Sequence, residues 1–130
     1  MTLSSFLKGC TVGAASLLLS CKDLTLTDQS YQRVHVANFS VPIRSLMPGR
    51  ETYPGSMTLR VSGTVDRPVV LSIYQLSGQT RYPVLTDSLP AGTHTNRSLR
   101  QDFYSRDEVE LQVSGSPATT GSLDIEWYRQ

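Results

Sequence analysis

Cysteine is absent after position 21: the two that occur, Cys10 and Cys21, both sit near the start of the chain. No disulfide can therefore staple the body, although small exported domains often depend on one. Lysine is almost as scarce. Beyond Lys8 and Lys22 every basic side chain apart from the two histidines is an arginine. There is no polybasic run and no acidic tail, and the formal net charge of +1 falls to zero once residues 1–20, which carry Lys8, are set aside. Nucleic acid is thus not an expected partner, because neutralising phosphates takes clustered cations. The same scatter of charge excludes a purely electrostatic hold on a membrane. Long apolar runs are missing too, and the one near the N-terminus covers about half of the roughly 20 residues that span a bilayer. Helical periodicity is not sustained anywhere beyond residue 30.

The N-terminal stretch, MTLSSFLKGCTVGAASLLLSC, places one lysine before a weakly apolar segment of small residues and leucines. That is the order of an export signal: a positive region, a short apolar region, then a small residue. Leu18-Leu19-Ser20-Cys21 resembles the lipobox of bacterial lipoproteins, in which a small residue precedes an invariant cysteine. The resemblance implies that residues 1–20 are removed by signal peptidase II and that Cys21 becomes the acylated first residue. Two or three acyl chains anchor a protein stably where one does not. Cys10 fits less well, because Lys8 lies just before it and leaves almost no apolar region. The competing expectation is a cytosolic chain that opens with an ordinary amphipathic segment. Lys22 and Asp23 partly resemble a surface-export signal found after the lipidated cysteine in some Gram-negative groups, with Leu24 interrupting the acidic pattern. Residues 21–30 otherwise read as a hydrophilic tether, and 22–30 reach roughly 30 Å when extended.

From Tyr31 onward the pattern has a period of two. Met57, Leu59 and Val61 alternate with polar residues, and Val69, Leu71 and Ile73 alternate with Val70, Ser72 and Tyr74. Val109, Leu111 and Val113 alternate in the same way, and so do Leu123, Ile125 and Trp127. Each set predicts an antiparallel strand with one wet face. Weaker strands are expected at 32–38, 41–44, 81–86 and 97–104. The breaks MPGRETYPGS, SGTVDRP, LPAGTHTN and SGSPATTGS hold Gly, Pro, Ser and Thr, and the last reads as a long hairpin loop between the final two strands. The expected fold is all-β: one antiparallel β-sandwich of about seven or eight strands over residues 31–130. Immunoglobulin-like and jelly-roll arrangements both fit, although the Cys–Trp–Cys spacing of a true immunoglobulin domain is missing.

Chemistry is sparse. His35 is expected on an outward strand face and His94 in a loop, with no metal-ligand spacing around either. Glu108 and Glu110 share one strand face, and Asp124 and Glu126 share another. Were the last two strands neighbours, these four carboxylates would crowd one surface, where calcium is conceivable. The plainer reading is a solvated face relieved by arginines such as Arg60 or Arg129. No nucleophile elbow, phosphate loop or His-Glu-x-x-His occurs, so no catalytic residue, metal or cofactor is assigned. Asn38 and Asn96 open sequons that would matter only in a eukaryotic secretory route, and Asp87–Leu89 resembles a bacterial O-glycosylation triplet. Tyr53, with Arg50 beside it, and Tyr82 and Tyr104 are the candidate ligand contacts, since a tyrosine pairs an apolar ring with a hydrogen-bonding tip.

The expectation is therefore an envelope lipoprotein, at the outer membrane or cell surface, with a non-catalytic binding or structural role in an envelope assembly. Its partners would be the membrane, through Cys21, and an envelope protein or a glycan. A carbohydrate-binding or adhesion module is the first alternative. A hydrolase built from two of Asp102, Asp107, Glu108, Glu110 and Glu126 is the second.

Overall fold

The computed structural model describes residues 31–130, and the lipobox and tether lie outside them. Eight strands follow one another: β1 (Tyr31–Val36), β2 (Ile43–Met47), β3 (Ser56–Val65), β4 (Val69–Ser77), β5 (Thr80–Leu89), β6 (Gly92–Asp102), β7 (Glu108–Gly115) and β8 (Gly121–Arg129). They form two four-stranded antiparallel sheets, β1-β8-β3-β6 and β2-β7-β4-β5, here the first and second sheet. This interleaved order is that of a jelly roll, which decides between the two sandwich types. Among the described residues no helix is long and apolar enough to cross a membrane.

The alternation in the sequence becomes the core. Met57, Leu59, Val61, Val69, Leu71, Ile73, Val109, Leu111, Val113, Leu123, Ile125 and Trp127 are all buried between the sheets. Phe39 and Phe103 close the core from the connecting segments. Burial of each such side chain stabilises the fold by about 1.5–3 kcal/mol before entropy is counted. Both flanks of the sandwich are closed by polar links. On one flank, Gln32 donates to the Leu46 carbonyl at 2.7 Å and accepts from Ser45 Oγ at 2.7 Å, which ties β1 to β2. On the other, the Arg97 guanidinium grips the Asp87 carboxylate with two bonds, 2.9 and 3.1 Å, and so ties β6 to β5.

Three expectations need correction. The connection 116–120 is not a hairpin, because β7 and β8 belong to different sheets. Glu108 and Glu110 therefore face out from the second sheet and Asp124 and Glu126 from the first, and the four carboxylates share no surface. His94 lies within β6 and not in a loop, with Nε2 2.8 Å from the Pro90 carbonyl. Arg129 does not relieve a wet face either: it is 3% exposed and points inward. The weaker strands were located but with shifted ends, and β6 begins five residues before the expected 97.

Strand direction sorts the connections into two ends. Tyr31, the 48–55, 78–79 and 103–107 connections and Gln130 gather at one end. The 37–42, 66–68, 90–91 and 116–120 connections gather at the other. Arg129 fastens the first end, where its guanidinium donates to the carbonyls of Asp107 (2.8 Å) and Pro48. Burial, and then the nearby Arg50, push its pKa down to about 10. At the far end Asp66 bridges two connections. Its carboxylate accepts the Thr120 N–H at 2.7 Å, and its own N–H donates to the Thr120 carbonyl at 3.1 Å.

The Thr120 N–H, more than any other group, holds the Asp66 carboxyl below the usual carboxylate range. A depressed folded pKa means stability that is present above about 3.9, the unfolded value, and lost as pH falls through the folded one. Asp66→Asn should therefore lower the urea midpoint at neutral pH, and the gap from the native chain should narrow as pH falls below about 3.9. Urea melts of both proteins across that range measure it. A gap that stays constant would show that the charge of Asp66 contributes nothing.

Candidate functional site

The outer face of the first sheet carries a ladder that comes directly from the strand register. Tyr31, Arg33 and His35 alternate outward on β1, opposite Tyr128, Glu126 and Asp124 of β8. On the other side of β8, Arg60 of β3 lies opposite Glu126. The two tyrosines stack with centroids 5.7 Å apart and planes inclined by 25°. The Arg33 guanidinium lies 5.6 Å from the Tyr31 ring and the Arg60 guanidinium 6.0 Å from the Tyr128 ring, so cations cap the aromatic pair. Offset aromatic pairs and cations over ring faces are both attractive, through the ring quadrupole.

Beside the tyrosines the ladder opens into a groove of about 310 Å³. Arg33, His35, Asp124 and Glu126 line it, and the β1 and β8 backbone at Val34 and Ile125 adds the floor. Two cross-strand pairs bound it, Arg33 with Glu126 and His35 with Asp124. His35 Nδ1 lies 2.7 Å from Asp124 Oδ1, and Arg33 Nη2 lies 3.5 Å from Glu126 Oε1. Arg33 Nε also donates to the Tyr31 hydroxyl at 2.9 Å. That bond first, then the attraction of nearby Glu126, raises the guanidinium pKa. Each pair uses only part of each side chain: Arg33 Nη1, His35 Nε2, Asp124 Oδ2 and Glu126 Oε2 make no hydrogen bond among the described residues. Arg33 and Arg60 offset the two carboxylates, so the groove has little net charge. Such a lining suits a group that both donates and accepts hydrogen bonds better than a strong anion or cation.

The outer face of the second sheet is organised differently. Arg81 reaches over the Tyr74 ring, 4.1 Å from its centroid, and donates to Glu110 Oε1 at 2.6 Å and Gln112 Oε1 at 3.1 Å. Arg81 thus covers one face of the Tyr74 ring and makes both bonds through Nη2.

The contacts expected from sequence lie elsewhere. Tyr53, Arg50 and Tyr104 belong to the connections at the Arg129 end, and Tyr82 lies on β5 just beyond the turn at that end. Tyr53 and Tyr104 are 71% and 64% exposed. Arg106 lies over the Tyr53 ring at 4.5 Å. Arg50 donates to Thr52 and, through its backbone, to the Arg106 carbonyl, so it holds the loop together. Tyr53, Tyr82 and Tyr104 form no aromatic stack among the described residues. The five carboxylates of the hydrolase alternative are likewise spread out. Glu110 pairs with Arg81 and Glu126 with Arg33, and Asp107 accepts from Gln75 at 2.8 Å. Asp102 ends β6 and Glu108 begins β7. Among the described residues no three His, Cys, Asp or Glu side chains are grouped to hold a metal ion. Tyr31, Arg33 and Arg60 were not among the expected contacts. The signal was nonetheless present: Tyr-x-Arg-x-His at 31–35 is the antiparallel complement of Asp-x-Glu-x-Tyr at 124–128.

No known family profile matches the sequence, and no curated protein matches it. The fold is similar to the K3 cleaved adhesin domain of the Lys-gingipain of Porphyromonas gingivalis, with a TM-score of 0.56 and 12% identity over 75% of this chain and 72% of that one. The K1 cleaved adhesin domain of the same protein is similar at a TM-score of 0.53 and 12% identity, over 83% of this chain and 87% of that one. The Yersinia pseudotuberculosis-derived mitogen is similar at a TM-score of 0.51 and 7% identity, over 78% and 85%. At these identities the likeness is one of fold.

The two arginine–carboxylate pairs differ in a measurable way. The Glu110 side chain is 11% exposed and the Glu126 side chain 36%. Removing the cation from the more buried carboxylate leaves a desolvated charge behind. Arg81→Ala should therefore cost about 1–3 kcal/mol in urea unfolding, while Arg33→Ala should leave stability nearly unchanged. Equal effects would contradict this ranking.

Proposed function

We propose that this chain is an envelope lipoprotein, anchored through Cys21, whose jelly roll is a non-catalytic binding domain for a neutral glycan. The groove on the first sheet carries the reading. Its lining holds an unused donor in Arg33 and unused acceptors in Asp124 and Glu126, next to an aromatic pair and with charge nearly balanced. Sugar hydroxyls both donate and accept, as such a lining requires. The adhesin domains that share the fold are consistent with a recognition role and add nothing about the ligand. The anchor rests on the pattern Leu18-Leu19-Ser20-Cys21 and on the absence of any later cysteine. The non-catalytic role rests on the dispersal of the carboxylates that hydrolysis would have to bring together.

The test has two arms. Protein extracted from membranes should begin at Cys21 and carry acyl mass, whereas Cys21→Ala should be unacylated and released. On a glycan array the native chain should bind uncharged glycans, and Asp124→Ala or Arg33→Ala should weaken binding about tenfold, the loss expected for one hydrogen bond to a charged group. Array binding that both substitutions leave untouched, or none at all, would refute the glycan reading, and an unacylated native chain would refute the anchor.

A further inference from the structure

The exposed apolar side chains are distributed unevenly. Of the large ones, Tyr53, Tyr82, Tyr104 and Leu46 belong to the end of the sandwich that Arg129 fastens, with exposures of 71%, 51%, 64% and 51%. Val41 and Val70 lie towards the other end, and no exposed tyrosine does so among the described residues. The chain also enters at the tyrosine-bearing end. Tyr31 pairs with Tyr128, one residue before β8 finishes, so β1 begins at the same end as the 48–55 and 103–107 connections. The segment 22–30 spans roughly 30 Å at full extension and less in any relaxed state.

We propose that this end rests on the headgroup layer of the membrane, with Tyr53 and Tyr104 as interfacial contacts. The inference rests on acylation of Cys21 and adds an orientation to it. A tether of that length keeps the tyrosine end within reach of the lipid and holds the far end away from it. Tyrosine suits such a boundary because its ring takes the apolar side and its hydroxyl stays hydrated. Arg106 sits over the Tyr53 ring at 4.5 Å and spends one donor on the Glu51 carbonyl at 3.1 Å, leaving others for lipid phosphate. The loops do not need to reorganise to present these rings. Arg50 N–H to the Arg106 carbonyl (3.0 Å) and Arg129 to the Asp107 carbonyl (2.8 Å) already join the two connections. Charges at this end alternate in sign, as in Arg50-Glu51 and Arg106-Asp107. The contact is therefore aromatic in origin and insensitive to salt, unlike that of a polybasic patch. The sheet faces then stand upright on the membrane, and the groove between β1 and β8 opens sideways.

Hydrogen–deuterium exchange tests this on the full acylated chain in phosphatidylethanolamine–phosphatidylglycerol vesicles, with the full-length Cys21→Ala variant in solution as reference. Segments 48–55 and 103–107 should exchange several-fold more slowly on vesicles, at low and high salt alike, while 37–42 and 116–120 should not change. A Tyr53→Ser/Tyr104→Ser double variant that still carries acyl mass should lose the protection. If the native chain is acylated and vesicle-bound but both segments exchange as in solution, the domain swings free: the anchor stands and the orientation is wrong. If mass spectrometry finds no acyl group, anchor and orientation fall together. Protection that grows with protein concentration and without vesicles would instead assign this end to a second copy of the chain, which also overturns the proposal.

Discussion

The structure is governed by one constraint: each sheet has a single apolar face, and the only way to bury both is to lay them against each other. The chain meets this by changing sheets at nearly every connection, and among the described strands only β4 and β5 are joined within one sheet. Everything exposed follows from that wrapping. Strands adjacent in sequence present their polar residues on opposite sides of the molecule, and strands far apart in sequence build a common surface. The ladder between β1 and β8 joins the beginning of the domain to its end.

Wrapping also places the loops at two ends, and each end must satisfy its own backbone. At one, the buried Arg129 guanidinium does so by donating to the Pro48 and Asp107 carbonyls. A cation in this position is costly to desolvate, and the displacement of its pKa to about 10 records that cost. It joins the 48–55 and 103–107 connections to β8, and hence to the point where the chain enters. At the other end the Asp66–Thr120 pair performs the corresponding task with two hydrogen bonds and no buried charge. Backbone geometry adds a local requirement in β3. Gly63 sits at a bulge with φ of +139°, where any Cβ would run into the Ser122 carbonyl of β8.

The strands were legible because one-sided burial writes itself as a period of two. Val69, Leu71 and Ile73, or Leu123, Ile125 and Trp127, could be assigned to the core without knowledge of the partner strand. Which strand pairs with which was not legible, because cross-strand contacts here are long-range and depend on wrapping order. That is why Glu108 and Glu110 were imagined beside Asp124 and Glu126. The outward direction of His35 was correctly inferred, yet the site it joins depends on Arg33 and Tyr31. These gain meaning only in antiparallel register with residues 124–128. Tyr53 and Tyr104 were singled out as candidate ligand contacts, and both are exposed. Their place at the entry end emerges only from the topology.

A jelly roll by itself does not name a ligand, so the functional account depends on where binding occurs. The groove between β1 and β8 gathers an unused donor in Arg33 and unused acceptors in Asp124 and Glu126 around one concavity. In the Tyr74–Arg81–Glu110 cluster the guanidinium covers the ring, and the loop end is aromatic and lies beside the chain entry. The most direct measurement is a map of amide chemical-shift changes as a glycan selected for binding is titrated into the protein. The account predicts changes concentrated at residues 31–35 and 124–128, with Arg60 on the flank. Changes confined to the Arg81 face, or to the 48–55 and 103–107 connections, would contradict it.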